Sequence, residues 1–94
     1  ENNMTINTIR PDGIPPADPV TIIAAAYGTM SAGADVTPAV RDIVRGGSLA
    51  IPVSNETLGG DPVPGVQKHF GVVYAVKGRT YARAALEGET VKLD

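Results

Sequence analysis

The sequence predicts a mainly β protein: a small Ig-like β-sandwich carrying one short helix over about residues 38–45. Three observations predict it. Leu49, Ile51 and Val53, and then Phe70, Val72, Tyr74 and Val76, alternate onto one face of an extended chain. Gly (11) and Pro (8) interrupt the 94 residues at short intervals, as turns between short strands require. A helix signature with both ends marked occurs once, around Thr37-Pro38 and Gly46-Gly47.

In chain order, residues 1–19 read as an extended or disordered N-terminal arm. Asp12-Gly13, Pro15-Pro16 and Asp18-Pro19 follow one another too closely for a helix or a central strand, since each Pro lacks a donor and restricts its predecessor. Residues 20–94 then form one β-sandwich-like domain. Residues 20–27 are β-branched at the front and stop at Gly28, which predicts a strand. Residues 28–34 are small and turn-like. Thr37 is placed as the N-cap and Pro38 at the first helical position, where its absent N–H costs nothing. Val40, Ile43 and Val44 form a buried stripe, and Arg41, Asp42 and Arg45 face outward. Residues 48–53 form a short strand, with Pro52 on the face opposite Ile51 marking a sheet edge. Residues 54–66 are the longest loop, and residues 67–77 return to strand. Gly78-Arg79 is assigned a two-residue type II′ hairpin turn, residues 80–86 pair back, and Glu87-Gly88-Glu89 turns the chain into a last strand at residues 90–93.

Composition narrows the chemistry. At 43% hydrophobic and 19% charged residues, the chain is globular rather than disordered. With no Cys, it has no disulfides, no thiol nucleophile and no thiolate metal site. A net charge of −2 gives no basic field for nucleic acid. The longest uncharged run, residues 19–34, is broken by Gly28 and Gly33 and is too short for membrane insertion. Localisation follows the true start: cytoplasmic if that is Met4, secreted if Glu1 follows a cleaved leader.

Several segments then form a familiar series. Ile22-Ile23, Ala26-Tyr27-Gly28 and Asp35-Val36-Thr37 precede the short helix. After it come Gly47-Ser48-Leu49, Val53-Ser54-Asn55 and Leu58-Gly59-Gly60-Asp61-Pro62. Gly65, Lys68, Val72-Val73-Tyr74, the Gly78 turn and Glu87-Gly88-Glu89-Thr90 complete it. In these motifs the chain resembles the domain of unknown function at the C-terminus of mitochondrial J-domain co-chaperones, which has stand-alone bacterial and fungal relatives. The resemblance covers about residues 20–93. It implies an accessory, non-catalytic module and supplies no site residues; no J domain stands in these 94 residues.

Catalytic equipment is sparse. His69, the one imidazole, alternates onto the face opposite Phe70, and no serine sits in a Gly-x-Ser-x-Gly elbow. One His and scattered carboxylates make no metal site, and no cofactor motif occurs. Glu87 and Glu89 are read as members of a solvated turn rather than an acid–base pair. Lys77, Arg79 and Arg83 cluster at the hairpin, with Lys68 joining from the neighbouring strand end. The candidate ligand-binding residues are Asn55, Glu56, Thr57 and Asp61 in the polar loop, with Tyr81 as the aromatic to spare. Asn3-Met4-Thr5 and Asn55-Glu56-Thr57 also match glycosylation acceptors.

The resulting expectation is a non-enzymatic binding module acting in protein–protein contact or self-association, through a sheet edge or the loop at residues 54–62. The rivals are a carbohydrate-binding accessory domain, for which a glycan is the ligand, and a protein inhibitor presenting its Pro-rich loop. Neither nucleic acid nor membrane insertion is expected.

Overall fold

The computed structural model describes residues 20–94, so the arm assigned to residues 1–19 lies outside the described residues. The remainder is mainly β and sandwich-like, as expected. Strands β1 (Thr21–Gly28), β2 (Gly33–Asp35), β4 (His69–Val76) and β5 (Arg79–Leu86) form one antiparallel sheet in the order β2-β1-β4-β5. Strands β3 (Ala50–Pro52) and β6 (Thr90–Lys92) form a second, two-stranded antiparallel sheet, and α1 (Thr37–Arg45) is the one helix among the described residues.

Alternation decides which face is buried. Ile22, Ala25 and Tyr27 of β1, with Phe70, Val72 and Tyr74 of β4, point inward. A bulge at Ile23 shifts the β1 register between Ile22 and Ala24, which keeps Ile22 and Ala25 on the same side and leaves Ile23 outside. The facing layer is half helix and half ribbon: Val40 and Val44 from α1, Ile51 and Val53 around β3, and Val91 and Leu93 around β6. Leu58 enters this core from the long loop, as its apolar character in a polar segment predicts.

Three local assignments change. Residues 28–34 are not all turn, because Gly33–Asp35 adds β2 alongside β1. The approach needs glycine, since a Cβ on Gly28 would overlap Gly33 Cα and Ala32 O. Small residues carry no β pattern, so sequence alone missed this strand. Thr37 is not the N-cap. Val36 occupies that position without a side-chain bond, and Asp35 Oδ1 accepts from the Thr37 N–H at 2.9 Å. Thr37 Oγ1 turns onto β1 instead, accepting from the Ala25 N–H at 2.9 Å. The helix ends as expected, with Gly47 N–H bonded to Val44 O and Ser48 N–H to Ile43 O.

The hairpin turn also sits one residue earlier than Gly78-Arg79. Val76 pairs with Arg79, so Lys77 and Gly78 are the turn, with φ of 52° and 81°. Positive φ at both positions is a type I′ turn rather than II′.

Candidate functional site

Lys68 organises the long loop, and its role differs from the sequence expectation. It does not join the hairpin cations; its side chain is 2% exposed. The ammonium donates to Val66 O at 2.7 Å and Val63 O at 3.1 Å, and pairs with Asp61 Oδ1 at 2.8 Å and Glu87 Oε1 at 3.3 Å. It also lies 5.9 Å from the centre of the Tyr27 ring. Hydrogen bonding to Asp61 raises the lysine pKa above its ordinary value, and the same bond lowers that of Asp61. A lysine held protonated in this way has no lone pair for covalent catalysis. A usable signal was present in the sequence: Lys68 is in phase with Phe70, Val72 and Tyr74, so alternation carries it to the core face.

The polar loop is engaged largely with the protein itself. Asn55 Oδ1 accepts from the Tyr27 hydroxyl at 2.7 Å, and Asn55 O accepts from the Gly60 N–H. Burial, then the nearby Glu87 charge, raises the Tyr27 pKa and keeps this phenol a donor. Thr57 is tied to Ser54, whose Oγ donates to Thr57 Oγ1 at 2.8 Å and accepts from the Thr57 N–H at 3.1 Å. Asp61 is bound to Lys68 and to the Val63 N–H. Glu56 is exposed. An open groove of about 360 Å³ runs beside this loop, lined in part by Asp35, Leu58, Gly60 and Pro62. Tyr81 is elsewhere: it stacks on Tyr74 with ring centres 5.7 Å apart, under the Arg83 guanidinium. That is five register steps along β5 from the Leu86 end, roughly 16 Å from the loop side, so Tyr81 and Asp61 do not share one site.

Among the described residues the remaining titratable groups do not converge. His69 is exposed, as alternation predicts. Glu87 is not simply a member of a solvated turn: at 27% exposure it accepts from the Lys68 backbone N–H at 3.1 Å and pairs with the Lys68 ammonium. Glu89 Oε1 accepts from the Leu86 N–H at 2.7 Å. Among the described residues no three His, Cys, Asp or Glu side chains group to hold a metal, and no helix is long and apolar enough to cross a membrane.

What stays open is a sheet edge and the face beside it. The first half of β1 is sealed by α1: Thr37 and Val36 take the N–H and C=O of Ala25, and Arg41 donates to Ile22 O at 3.0 Å. The other end of β1 is covered by β2. At β5, the two-residue hairpin fixes the bonding phase. Val76–Arg79, Tyr74–Tyr81, Val72–Arg83 and Phe70–Ala85 are the bonded pairs, so Thr80, Ala82, Ala84 and Leu86 aim their backbone groups away from β4. Glu89 caps Leu86, and Arg83 donates to Ala82 O at 3.1 Å. Among the described residues nothing takes the N–H groups of Thr80, Ala82 and Ala84. Seven of the eight β5 residues are exposed. The adjoining outer face, formed by Ala24, Ala26, Gly71, Val73, Ala82 and Ala84, carries no charge.

Compared with known proteins, the chain matches no family model, no curated protein and no solved structure.

Proposed function

We propose that this domain is a non-catalytic interaction module that takes an extended segment of a protein partner along the open edge of β5. The observation that carries this reading is the row of N–H groups at Thr80, Ala82 and Ala84 that no described residue takes, beside an uncharged face, while β1 is sealed by α1 and β2. Strand addition suits such an edge: main-chain bonds supply affinity, and side chains at alternate positions supply selectivity. The loop at residues 54–62 then serves the fold, because Asn55, Thr57 and Asp61 spend their polar atoms on Tyr27, Ser54 and Lys68. The accessory role that the sequence resemblance to the C-terminal domain of J-domain co-chaperones implies is part of the same proposal.

The test is selection of peptides from a displayed random library against the full chain, followed by titration into isotope-labelled protein. Shift changes should centre on the Thr80, Ala82 and Ala84 amides. Ala82→Pro, which deletes an outward N–H and spares the β4 ladder, should weaken binding at least tenfold at an unchanged unfolding midpoint. Shifts confined to residues 54–62 or to Tyr74 and Tyr81 would overturn the reading.

A further inference from the structure

We infer that the partner segment taken along β5 is acidic on one face, with a carboxylate opposite Arg79, a second opposite Arg83, and an uncharged residue between them opposite Tyr81. The inference rests on the reading of β5 as a strand acceptor and names the chemistry of that partner.

Register sets the two faces of the edge. Val76 pairs with Arg79, Tyr74 with Tyr81 and Val72 with Arg83, and directly paired residues point to the same side of a sheet. Arg79, Tyr81 and Arg83 therefore lie on the side that carries the core, yet all three are exposed, because the second layer stops short of β5. The opposite side offers Thr80, Ala82 and Ala84 beside Val73, with no charge. A strand added here meets cations on one face and small uncharged side chains on the other.

These cations have no described acid of their own. Among the described residues, ion pairs join Arg45 to Asp42 and Lys68 to Asp61 and Glu87, and none reaches Lys77, Arg79 or Arg83. Asp94 helps line a hollow of about 240 Å³ beside Tyr81 and Arg83 without forming an ion pair there. In a chain of net charge −2, this is a local excess of positive charge rather than a general one. Arg83 is also held in place, its guanidinium 5.9 Å from the Tyr74 ring centre and 6.0 Å from that of Tyr81.

Backbone phase strengthens the pairing. Thr80, Ala82 and Ala84 direct their N–H and C=O outward, so in antiparallel addition Arg79, Tyr81 and Arg83 fall at the non-hydrogen-bonded positions. There the side chains of neighbouring strands approach most closely. Residues 79 and 83 stand roughly 13 Å apart along the strand, which sets the spacing of the partner's two carboxylates. The carboxylate opposite Arg83 also uncovers the edge. Arg83 donates to Ala82 O at 3.1 Å, and an ion pair that draws the guanidinium away frees that oxygen for a partner N–H. A second copy is the poorer occupant, since two antiparallel β5 edges would bring Arg79 and Arg83 of both onto one face, where like charges repel.

Two end-blocked synthetic peptides titrated into the isotope-labelled full chain test this: Thr-Glu-Val-Tyr-Val-Glu-Thr, and the same peptide with Gln for both Glu. At ~0.01 M salt the Glu peptide should bind about tenfold tighter, and the gap should close at ~1 M. The Thr80, Ala82 and Ala84 amides should shift as it binds. Arg83→Gln removes one pair and uncovers Ala82 O, so the Glu peptide should lose about threefold in affinity while the Gln peptide binds at least as well as before. Arg83 is exposed, so the unfolding midpoint should hold. Equal affinity of the two peptides would overturn the inference, as would a Glu preference that survives Arg79→Gln combined with Arg83→Gln. Tighter binding of oligothymidylate at the same residues would also overturn it, assigning the cations and Tyr81 to single-stranded nucleic acid. The two readings fail separately. Library peptides that shift the Thr80, Ala82 and Ala84 amides, with the Glu and Gln peptides bound equally, would remove the acidic partner and leave the acceptor edge. A Glu peptide that moves only Tyr74 and Tyr81 would remove both.

Discussion

Lys68 Nζ and Asp61 Oδ1 lie 2.8 Å apart, and the lysine is the buried member, with 2% of its side chain exposed against 33% for the aspartate. The ammonium thus acts as a peg on which the loop hangs, because it also donates to Val63 O and Val66 O. Asp61→Asn should weaken the peg and also the turn that the carboxylate closes with the Val63 N–H. Exchange at Val63 and Val66 amides should rise about tenfold, while the β1–β4 ladder is unaffected. Lys68→Met should be worse, since it orphans two carbonyls and leaves Asp61 and Glu87 without their shared cation. Equal loop exchange in both variants and the parent would refute the peg.

The same pair shapes stability against pH. The Lys68 hydrogen bond holds Asp61 below its ordinary 3.8, and bonds from Thr37 do the same for Asp35. On acidification the unfolded chain binds these protons first, so the stability they add is complete above that value and lost as pH falls through the lower folded one. Lys68 is raised above 10.5 by Asp61, and Tyr27 above 10.0 by burial. Their contributions are complete below those values and are lost as pH rises through the raised ones. Urea midpoints should therefore be flat between roughly pH 5 and 9 and fall on both sides. Asp61→Asn should make the acid limb shallower; an unchanged acid limb would contradict this assignment.

Tyr27 couples the sheet to the loop through Asn55. Tyr27→Phe keeps the ring in the core and removes only the 2.7 Å hydroxyl bond, leaving the half-buried Asn55 carbonyl oxygen unmatched. The cost should be about 1–2 kcal/mol in urea unfolding, with faster exchange at the Gly60 amide, which bonds to Asn55 O. Less than a few tenths would mean that water replaces the phenol without loss.

Thr37 seals β1. Its Oγ1 is the partner of the buried Ala25 N–H, so Thr37→Ala should cost about 1–3 kcal/mol by orphaning that donor. Thr37→Ser should recover most of it, because the hydroxyl returns. If serine and alanine are equally destabilising, the lost methyl packing is the cause and the bond is incidental.

The parts of the fold that were legible in the sequence are those where side-chain period carries the information. Phe70, Val72 and Tyr74 specified β4 and its buried face, and Pro38 with Gly46-Gly47 bracketed α1. Leu58 stood out as an apolar plug in a polar loop. What was missed depends on partners distant in sequence. Gly33–Asp35 becomes a strand only because Gly28 admits its backbone. Thr37 had the composition of a cap, yet the Ala25 amide competes for its hydroxyl. Lys68 was assigned by charge to a surface patch when its phase already placed it inside. Asn55 and Asp61, candidate ligand groups by composition, bond to Tyr27 and Lys68, 28 residues away in the Asn55 case, which no local pattern announces.

The hairpin turn offers a gain of stability. Lys77 adopts φ of 52° in a type I′ turn, a conformation that costs a β-carbon-bearing residue about 1 kcal/mol and that Asn tolerates best among non-glycine residues. Its side chain is exposed and bonds to nothing among the described residues, so little is lost by replacing it. Lys77→Asn should therefore stabilise the protein by about 0.5–1 kcal/mol, raising the unfolding midpoint by roughly 2–8 °C. Gly78→Ala should do the reverse, since its φ of 81° suits no L side chain. A neutral or destabilising Lys77→Asn, measured beside a destabilising Gly78→Ala, would show that the chain pays no strain at position 77.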